Sequence, residues 1–445
     1  MYKGRQQTLS SEKFARKNFV LGVLNGVLFS FAVSFTDPNT VLPYFVSLLT
    51  SSKFLIGFTT TITNFFFLLP QIFVASFTQH WSRRKPFYII GALLRASSWF
   101  FLFLITYLWG SSSPSLLLFS FLALYSLSCL GGGLGGLPFL DIVGKIIVPT
   151  RRGKFFSLRL FFGGLLSIGG GLVVKYILGR PDLFPFPYNF SLLFFLTFIW
   201  ISLAVSLFMC IREPDMPTKL NRRSSFFTYL RNIPRLLRKD RNYRMFFWAK
   251  ILLSCGIITL PFYVIYARDV LSIPQEIVGV FVSAQMIGAA ISAFFWGFLS
   301  DKYGNKIVVQ LSGFIGMLVP ILALAVGRLY SLSGYSDSLA NDPGTFLIVA
   351  YAAVFILLGM NINGNFIGQI NLLLEIAPSE QRSTYIGITN TATAFVTLLP
   401  LLGGYLIQWT SYEAAFLLSF SFMLAGLLFT LNIVEPRSNN KVRAH

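Results

Sequence analysis

Twelve long apolar runs, separated by polar breaks, dictate what this chain can become. They fall at residues 18–48, 54–78, 86–108, 115–139, 155–178, 189–210, 245–267, 276–298, 307–329, 344–370, 384–408 and 412–433. A helix of about 20 residues crosses the hydrocarbon core of a bilayer. In that core every backbone N–H and C=O must be bonded internally, which leaves helices or a closed barrel, and runs of this length are helices. The predicted class is an all-α integral membrane protein. The first run is longer than the core of a signal peptide, so residues 1–17 are read as a cytoplasmic tail before a retained helix.

Charge decides the orientation. The 36 Lys and Arg against 16 Asp and Glu make a net +20, which by itself would suggest a nucleic-acid partner. With the N-terminus inside, however, the outer connections hold only Lys53, Lys175, Arg180, Arg268 and Arg328, and the other 31 basic residues lie in inner segments or inner helix ends. Cytoplasmic loops carry this excess by rule. The expectation is a multi-pass protein of the cell membrane with both termini cytoplasmic, with membrane lipids as partners and no nucleic acid; the basic loops also attract anionic lipid. Cys129, Cys210 and Cys255 sit in or beside apolar helices without metal spacing, and His80 and His445 stand apart. This excludes a metal site and any cofactor, and with no Walker A sequence it argues against an ATP-driven pump. No catalytic residues, and no enzyme, are expected.

The chain reads as two halves: a six-helix bundle over 18–210, a basic linker over 211–244 with ten basic and three acidic residues, a second bundle over 245–433, and a cytoplasmic tail over 434–445. The halves repeat. The stretch from Asp141 through Lys145 and Pro149 to Gly153 resembles that from Asn371 through Glu375 and Pro378 to Ser383, and Gln79–Lys85 resembles Asp301–Lys306. Such duplicated bundles place substrate between halves in transporters.

Gly297-Phe-Leu-Ser-Asp301-Lys302-Tyr303-Gly304-Asn305-Lys306 resembles the G-x-x-x-D-R/K-x-G-R-R/K loop of the major facilitator superfamily, and the resemblance extends over nearly the whole chain. The first half holds a degraded copy, with Ala75 and Gln79 where the motif has glycine and aspartate. Leu42-Pro43-Tyr44, the E-x6-R run Glu375–Arg382 and Pro400–Gly404 are further family-like pieces, whereas the glycine-rich fifth run lacks the proline of the antiporter signature. The resemblance implies twelve transmembrane helices in two pseudo-symmetric bundles, secondary active transport by alternating access, and a monomer. It assigns gating to Gly297, Asp301, Gly304 and Lys306, with Asp301 paired to a cytoplasmic arginine such as Arg382, and it surrounds the cavity with the first, fourth, seventh and tenth spans.

Ionisable groups inside spans are expensive and face a cavity or a partner. Asp37, beside Pro38, is the candidate coupling or substrate carboxylate. Arg95 is expected to snorkel or to pair with Asp141; Lys145 and Glu375 mark matching inner helix ends and are read as gating ion pairs, and Lys250 as an interfacial anchor. Asn361, Asn365 and Gln369 share one helix face by their i, i+4, i+8 spacing. With Asn25, Tyr125, Tyr263 and Tyr266 they are the candidate cavity residues, interhelical hydrogen bonding being the competing use. Gly131–Gly136 is read as a packing or hinge run. In the linker, Phe226, Leu230, Ile233 and Leu237 fall at helical spacing, as in a helix lying on the inner leaflet.

These readings predict a transporter of a small molecule that performs proton-coupled efflux of a lipophilic or cationic compound. The alternatives are uptake or facilitated diffusion of a neutral polar solute, and a non-transporting membrane sensor or lipid-binding scaffold.

Overall fold

The computed structural model describes the backbone of residues 2–71, 83–214, 236–332, 344–378 and 381–436, and their side chains except those of 2–13, 149, 150, 382 and 383. Among the described residues, twelve helices are long and apolar enough to cross a membrane: Phe14–Ser34, Lys53–Gln71, Lys85–Trp109, Pro114–Ile146, Arg151–Leu178, Tyr188–Met209, Arg241–Asp269, Ile277–Tyr303, Asn305–Leu332, Thr345–Ile376, Thr384–Trp409 and Tyr412–Leu431. They are spans 1 to 12, and the predicted runs fall on them. The degraded motif copy around Ala75 and Gln79, with His80, and the linker positions Phe226, Leu230 and Ile233 lie outside the described residues.

Several spans are interrupted, and proline explains where. The first predicted run is split: one helix ends at Ser34, turns occupy residues 35–40, and a short helix resumes over Val41–Leu49. Pro38 lacks the N–H that would continue the ladder. Span 7 passes from Arg241–Ser254 through a tight turn over Cys255–Thr259, and resumes at Phe262 after Pro261. Span 11 breaks between Val396 and Leu399, with Pro400 in the first turn of the second piece, where a proline costs no hydrogen bond. Span 2 carries a widened turn over Ile62–Phe66.

The chain forms two compact units: Met1–Asp37 with Ile62–Arg222, and Pro38–Thr61 with Arg223–His445. One division falls inside the predicted linker. The others detach residues 38–61 from the first half and group them with the second, and they coincide with the break at Asp37–Pro38 and with the widened turn at Ile62.

In the first unit, span 3 packs on spans 4 and 6, and span 1 on spans 5 and 6. Spans 3 and 4 meet backbone to backbone: a Cβ on Gly131 would lie 2.6 Å from the Gly91 carbonyl oxygen. The run Gly131–Gly136 is helical throughout, so its glycines serve packing. Small residues are what let transmembrane backbones approach this closely. Gly131→Val is expected to force the two helices apart and cost about 1–3 kcal/mol, the usual range for overpacking; the unfolding midpoint of purified protein checks it.

In the second unit, spans 8 and 9 pack on span 10, spans 7 and 9 on span 12, and span 11 on Lys53–Thr61. Here again glycines bring backbones together. A Cβ on Gly57 would strike the Pro400 carbonyl, and one on Gly404 the Lys53 carbonyl, which gives the family-like Pro400–Gly404 run its structural use.

Candidate functional site

The segment that the first half lends to the second unit is fastened by charge. Asp269, at the end of span 7, accepts from Lys53 Nζ at 2.5 Å, from Arg268 Nη2 at 2.7 Å and from the Tyr412 hydroxyl at 2.7 Å. Arg268 also donates to Ser47 through its carbonyl at 3.1 Å and its hydroxyl, and its guanidinium lies 5.8 Å from the Tyr44 ring. Sequence reasoning took Lys53 and Arg268 for topology markers only. Their pairing depends on two distant segments being neighbours, and no spacing in the chain reports that.

In the first unit the polar centre is built around Asn25, which is 3% exposed. Its amide donates to the Ala204 carbonyl at 2.8 Å, and its oxygen accepts from Arg159 Nη1 at 3.0 Å. Arg159 was not foreseen, although a lone arginine within an apolar run is itself a signal. Tyr125 is buried, shares a 2.6 Å hydrogen bond with Thr63 and stacks on Phe121 at 5.4 Å. Asp37 is 2% exposed and is the last residue of this unit's first segment, at the helix break. Arg95 does not pair with Asp141. The Asp141 carboxylate lies 3.4 Å from Arg84 Nε, near the end of span 4, and Arg95 instead lies 4.7 Å over the Phe29 ring.

In the second unit the predicted polar face of span 10 bonds to its neighbours. Asn361 donates to the Ser312 carbonyl at 2.7 Å, Gln369 donates to Asn365 at 3.0 Å, and Asn363 donates to the Ala289 carbonyl at 2.7 Å. Tyr263 shares a 3.0 Å hydrogen bond with Thr259, and its carbonyl accepts from Tyr351 at 2.7 Å; Tyr266 is buried among Tyr351, Tyr412 and Phe416. These bonds hold the unit's helices together, the competing use identified from the sequence. Lys250 lies about 14 Å along span 7, counted from Arg241 at 1.5 Å per residue.

The ends of the spans carry a repeated carboxylate device. Ile211-Arg-Glu213-Pro and Ile433-Val-Glu435-Pro follow spans 6 and 12, with their glutamates 222 residues apart. Glu213 accepts from the Arg84 and Lys85 backbone N–H groups at 2.9 Å and from Lys145 Nζ at 2.5 Å. It thereby caps the start of span 3, where helix N–H groups are unpaired and an acid is favoured. Glu435 accepts from the Lys306 N–H at 3.1 Å at the start of span 9.

The family-like loop is arranged around that second cap. Gly304 has φ +93°, a conformation that favours glycine, and a Cβ there would lie 2.6 Å from the Glu435 carboxyl. Lys306 Nζ donates to the Leu431 carbonyl at 3.1 Å, and Asn305, bonded to Ser300, donates to Glu375 at 2.8 Å. Asp301 is exposed and enters none of the ion pairs among the described residues; the Arg382 side chain lies outside them. A Cβ on Gly297 would meet nothing within 4 Å among the described residues.

No group of three His, Cys, Asp or Glu among the described residues is placed to hold a metal. A groove of about 610 Å³ between spans 3 and 6 is lined by Ile90, Leu93, Phe100, Phe101 and Phe198, with Ser97 and Ser202 as its polar groups. It contains no ionisable residue.

Comparison with known proteins gives a consistent fold. A profile of the Major Facilitator Superfamily matches residues 255–445, and one described as Vacuole effluxer Atg22 like matches residues 159–341. The multi-drug resistance efflux pump PmrA of Streptococcus pneumoniae is 24% identical over 203 residues, 44% of this chain and 45% of that protein. The probable galactarate/D-glucarate transporter GudP of Bacillus subtilis is 24% identical over 167 residues, 35% of this chain and 34% of that one. These matches span less than half the length of each relative. Among solved structures, a D323A mutant of the nucleoside transporter NupG aligns with TM-score 0.68 at 14% identity, covering 94% of this chain and 99% of that one. A POT family transporter in complex with 5-aminolevulinic acid aligns with TM-score 0.67 at 15% identity, covering 94% and 96%. Likeness at such identities speaks for the fold alone.

Proposed function

We propose that this chain is a membrane transporter of the major facilitator type, as the profile match over residues 255–445 supports, and that it moves a small polar organic solute by alternating access, coupled to protons through Asp37. The observation that carries the reading is the placement of that carboxylate. It is 2% exposed and stands beside Pro38 at the break of the first predicted run, as the last residue of the first unit's first segment. A carboxylate inside a span is costly and faces a cavity or a partner, which makes it a carrier for a coupling proton.

Efflux of a lipophilic or cationic compound is the second reading, favoured by the resemblance to a multi-drug efflux pump. The charges buried in the first unit weigh against a cation, since Arg95 and Arg159 would repel it. The resemblance to a probable galactarate/D-glucarate transporter supports a polar cargo.

Proteoliposomes loaded with a pH-sensitive dye test the reading. Addition of D-glucarate, a nucleoside or ethidium under an imposed pH gradient is expected to drive proton movement with one of them, and Asp37→Asn is expected to abolish that movement while solute exchange without a gradient persists. Solute movement indifferent to the gradient in the unmodified protein would sink the coupling role.

A further inference from the structure

Arg95 of span 3 and Arg159 of span 5 each stand about 15 Å along their helices, counted from Lys85 and from Pro149, and both fall inside the apolar runs 86–108 and 155–178, Arg159 four residues from the start of its run. A guanidinium there is costly unless it is paired, and it cannot shed its charge. The ion pairs among the described residues are Lys53–Asp269, Arg84–Asp141, Lys145–Glu213 and Arg268–Asp269, and neither arginine takes part in one.

What the two arginines do touch leaves most of their donors unused. Arg159 donates through Nη1 to the Gly22 carbonyl and to Asn25, with the Phe139 and Phe155 rings 4.8 and 5.4 Å from its guanidinium. Arg95 makes no hydrogen bond among the described residues. It rests on Phe29, and its Nε is shielded from solvent without a partner. Arg159 is bonded to Asn25 and lies over the Phe139 ring, whose centroid is 6.4 Å from that of Tyr88, while Arg95 rests on Phe29, one turn along span 1 from Asn25, so the four side chains are neighbours inside the first unit. Missing side chains make the room. A Cβ on Gly26 would run into the Arg159 guanidinium, and one on Gly132 would lie 2.8 Å from Arg95 Nη1. Both arginines keep part of their surface accessible.

We infer that Arg95, Arg159, Tyr88 and Asn25 form a binding site for a small organic anion, a dicarboxylate or a phosphate ester. The inference rests on the transporter reading above only in taking that anion to be the cargo. An arginine fork matches a carboxylate or phosphate in two parallel hydrogen bonds. Two forks with no acid between them fit a ligand that brings two negative charges. A cation would meet like charge, and a neutral solute would leave Arg95 without the partner its place in an apolar run demands.

Equilibrium binding to the purified full chain tests the site without requiring transport. The probes are succinate, glycerol 3-phosphate and inorganic phosphate, against neutral succinamide and the dication putrescine, measured calorimetrically in phosphatidylcholine nanodiscs. At least one anion is expected to bind and both controls are not. Arg95→Gln and Arg159→Gln are each expected to weaken binding roughly thirtyfold or more, as when one partner of a buried charge pair is removed. Arg95→Lys, which keeps the charge but loses the fork, is expected to fall between. Binding of putrescine or succinamide in preference to the anions overturns the site, as does anion binding that folded, monodisperse Gln variants retain in full. Should the Gln variants not fold, the probe ranking on the unmodified chain and the Lys variant decide. Nanodiscs containing phosphatidylglycerol separate the sources: suppression of soluble-anion binding by that lipid assigns the site to headgroups and overturns the soluble ligand. Anion binding with no flux in proteoliposomes would sink the transport reading and leave the site standing. Flux of a non-anionic solute indifferent to Arg95→Gln would do the reverse.

Discussion

Asp269→Asn is expected to release residues 38–61 from the second unit. The carboxylate is the hub of its cluster, shared by Lys53, Arg268 and Tyr412 at 2.5–2.7 Å, with the Lys53 and Arg268 side chains 18% and 27% exposed. Partly exposed pairs contribute little singly. Here one carboxylate serves three donors, and neutralising it leaves two cations facing each other, so a loss of about 1–3 kcal/mol is expected. At 1.4 kcal/mol per factor of ten, the docked arrangement loses roughly tenfold to a hundredfold in relative population. Val46 is fully buried within the segment. In a variant lacking the native cysteines and carrying Val46→Cys, adding Asp269→Asn is expected to speed reaction with a membrane-impermeant maleimide by about tenfold on the same scale. Equal labelling rates with and without Asp269→Asn would remove the latch.

Glu213→Gln is expected to be the more damaging change to stability. Its side chain is 2% exposed and holds Lys145 at 2.5 Å while accepting two backbone N–H groups at the start of span 3. Breaking a buried pair from one side costs about 3–5 kcal/mol. The unfolding midpoint in detergent, followed by tryptophan fluorescence, is the measurement. The double variant Lys145→Met with Glu213→Leu is expected to recover part of the loss, since neither charge is then stranded, but not all of it, since the cap on Arg84 and Lys85 is gone. A single variant that melts with the unmodified protein would show that the cap and ion pair contribute little.

Both residues illustrate what could and could not be read in advance. Glu213 lies in a visible repeat, Ile-x-Glu-Pro after spans 6 and 12, which a search for matching span ends would have found. Asp269 has no such echo, and its importance comes from contact with Lys53 and Tyr412, 216 and 143 positions away. The pairing of Arg95 with Asp141 was reasonable on helix position and failed on geometry, because Arg84, nearer the end of span 3, reaches Asp141 instead. The polar face of span 10 was correctly seen as one stripe, but periodicity identifies a face without naming what it meets. Span 9 supplies that partner, through Ser312, which accepts from Asn361 and donates to Asn365.

By itself the sequence determined the class, the twelve spans, the helix break at Pro38 and the family resemblance. Each of these follows from local properties: run length against bilayer thickness, proline chemistry, and motif spacing. Only the tertiary structure decided which charges are partnered. Burial and pairing are properties of neighbours brought together across the chain, and so it fell to the packing to tie Lys53 to Asp269, to bury Glu213 against Lys145, and to leave Arg95 and Arg159 outside the ion pairs among the described residues.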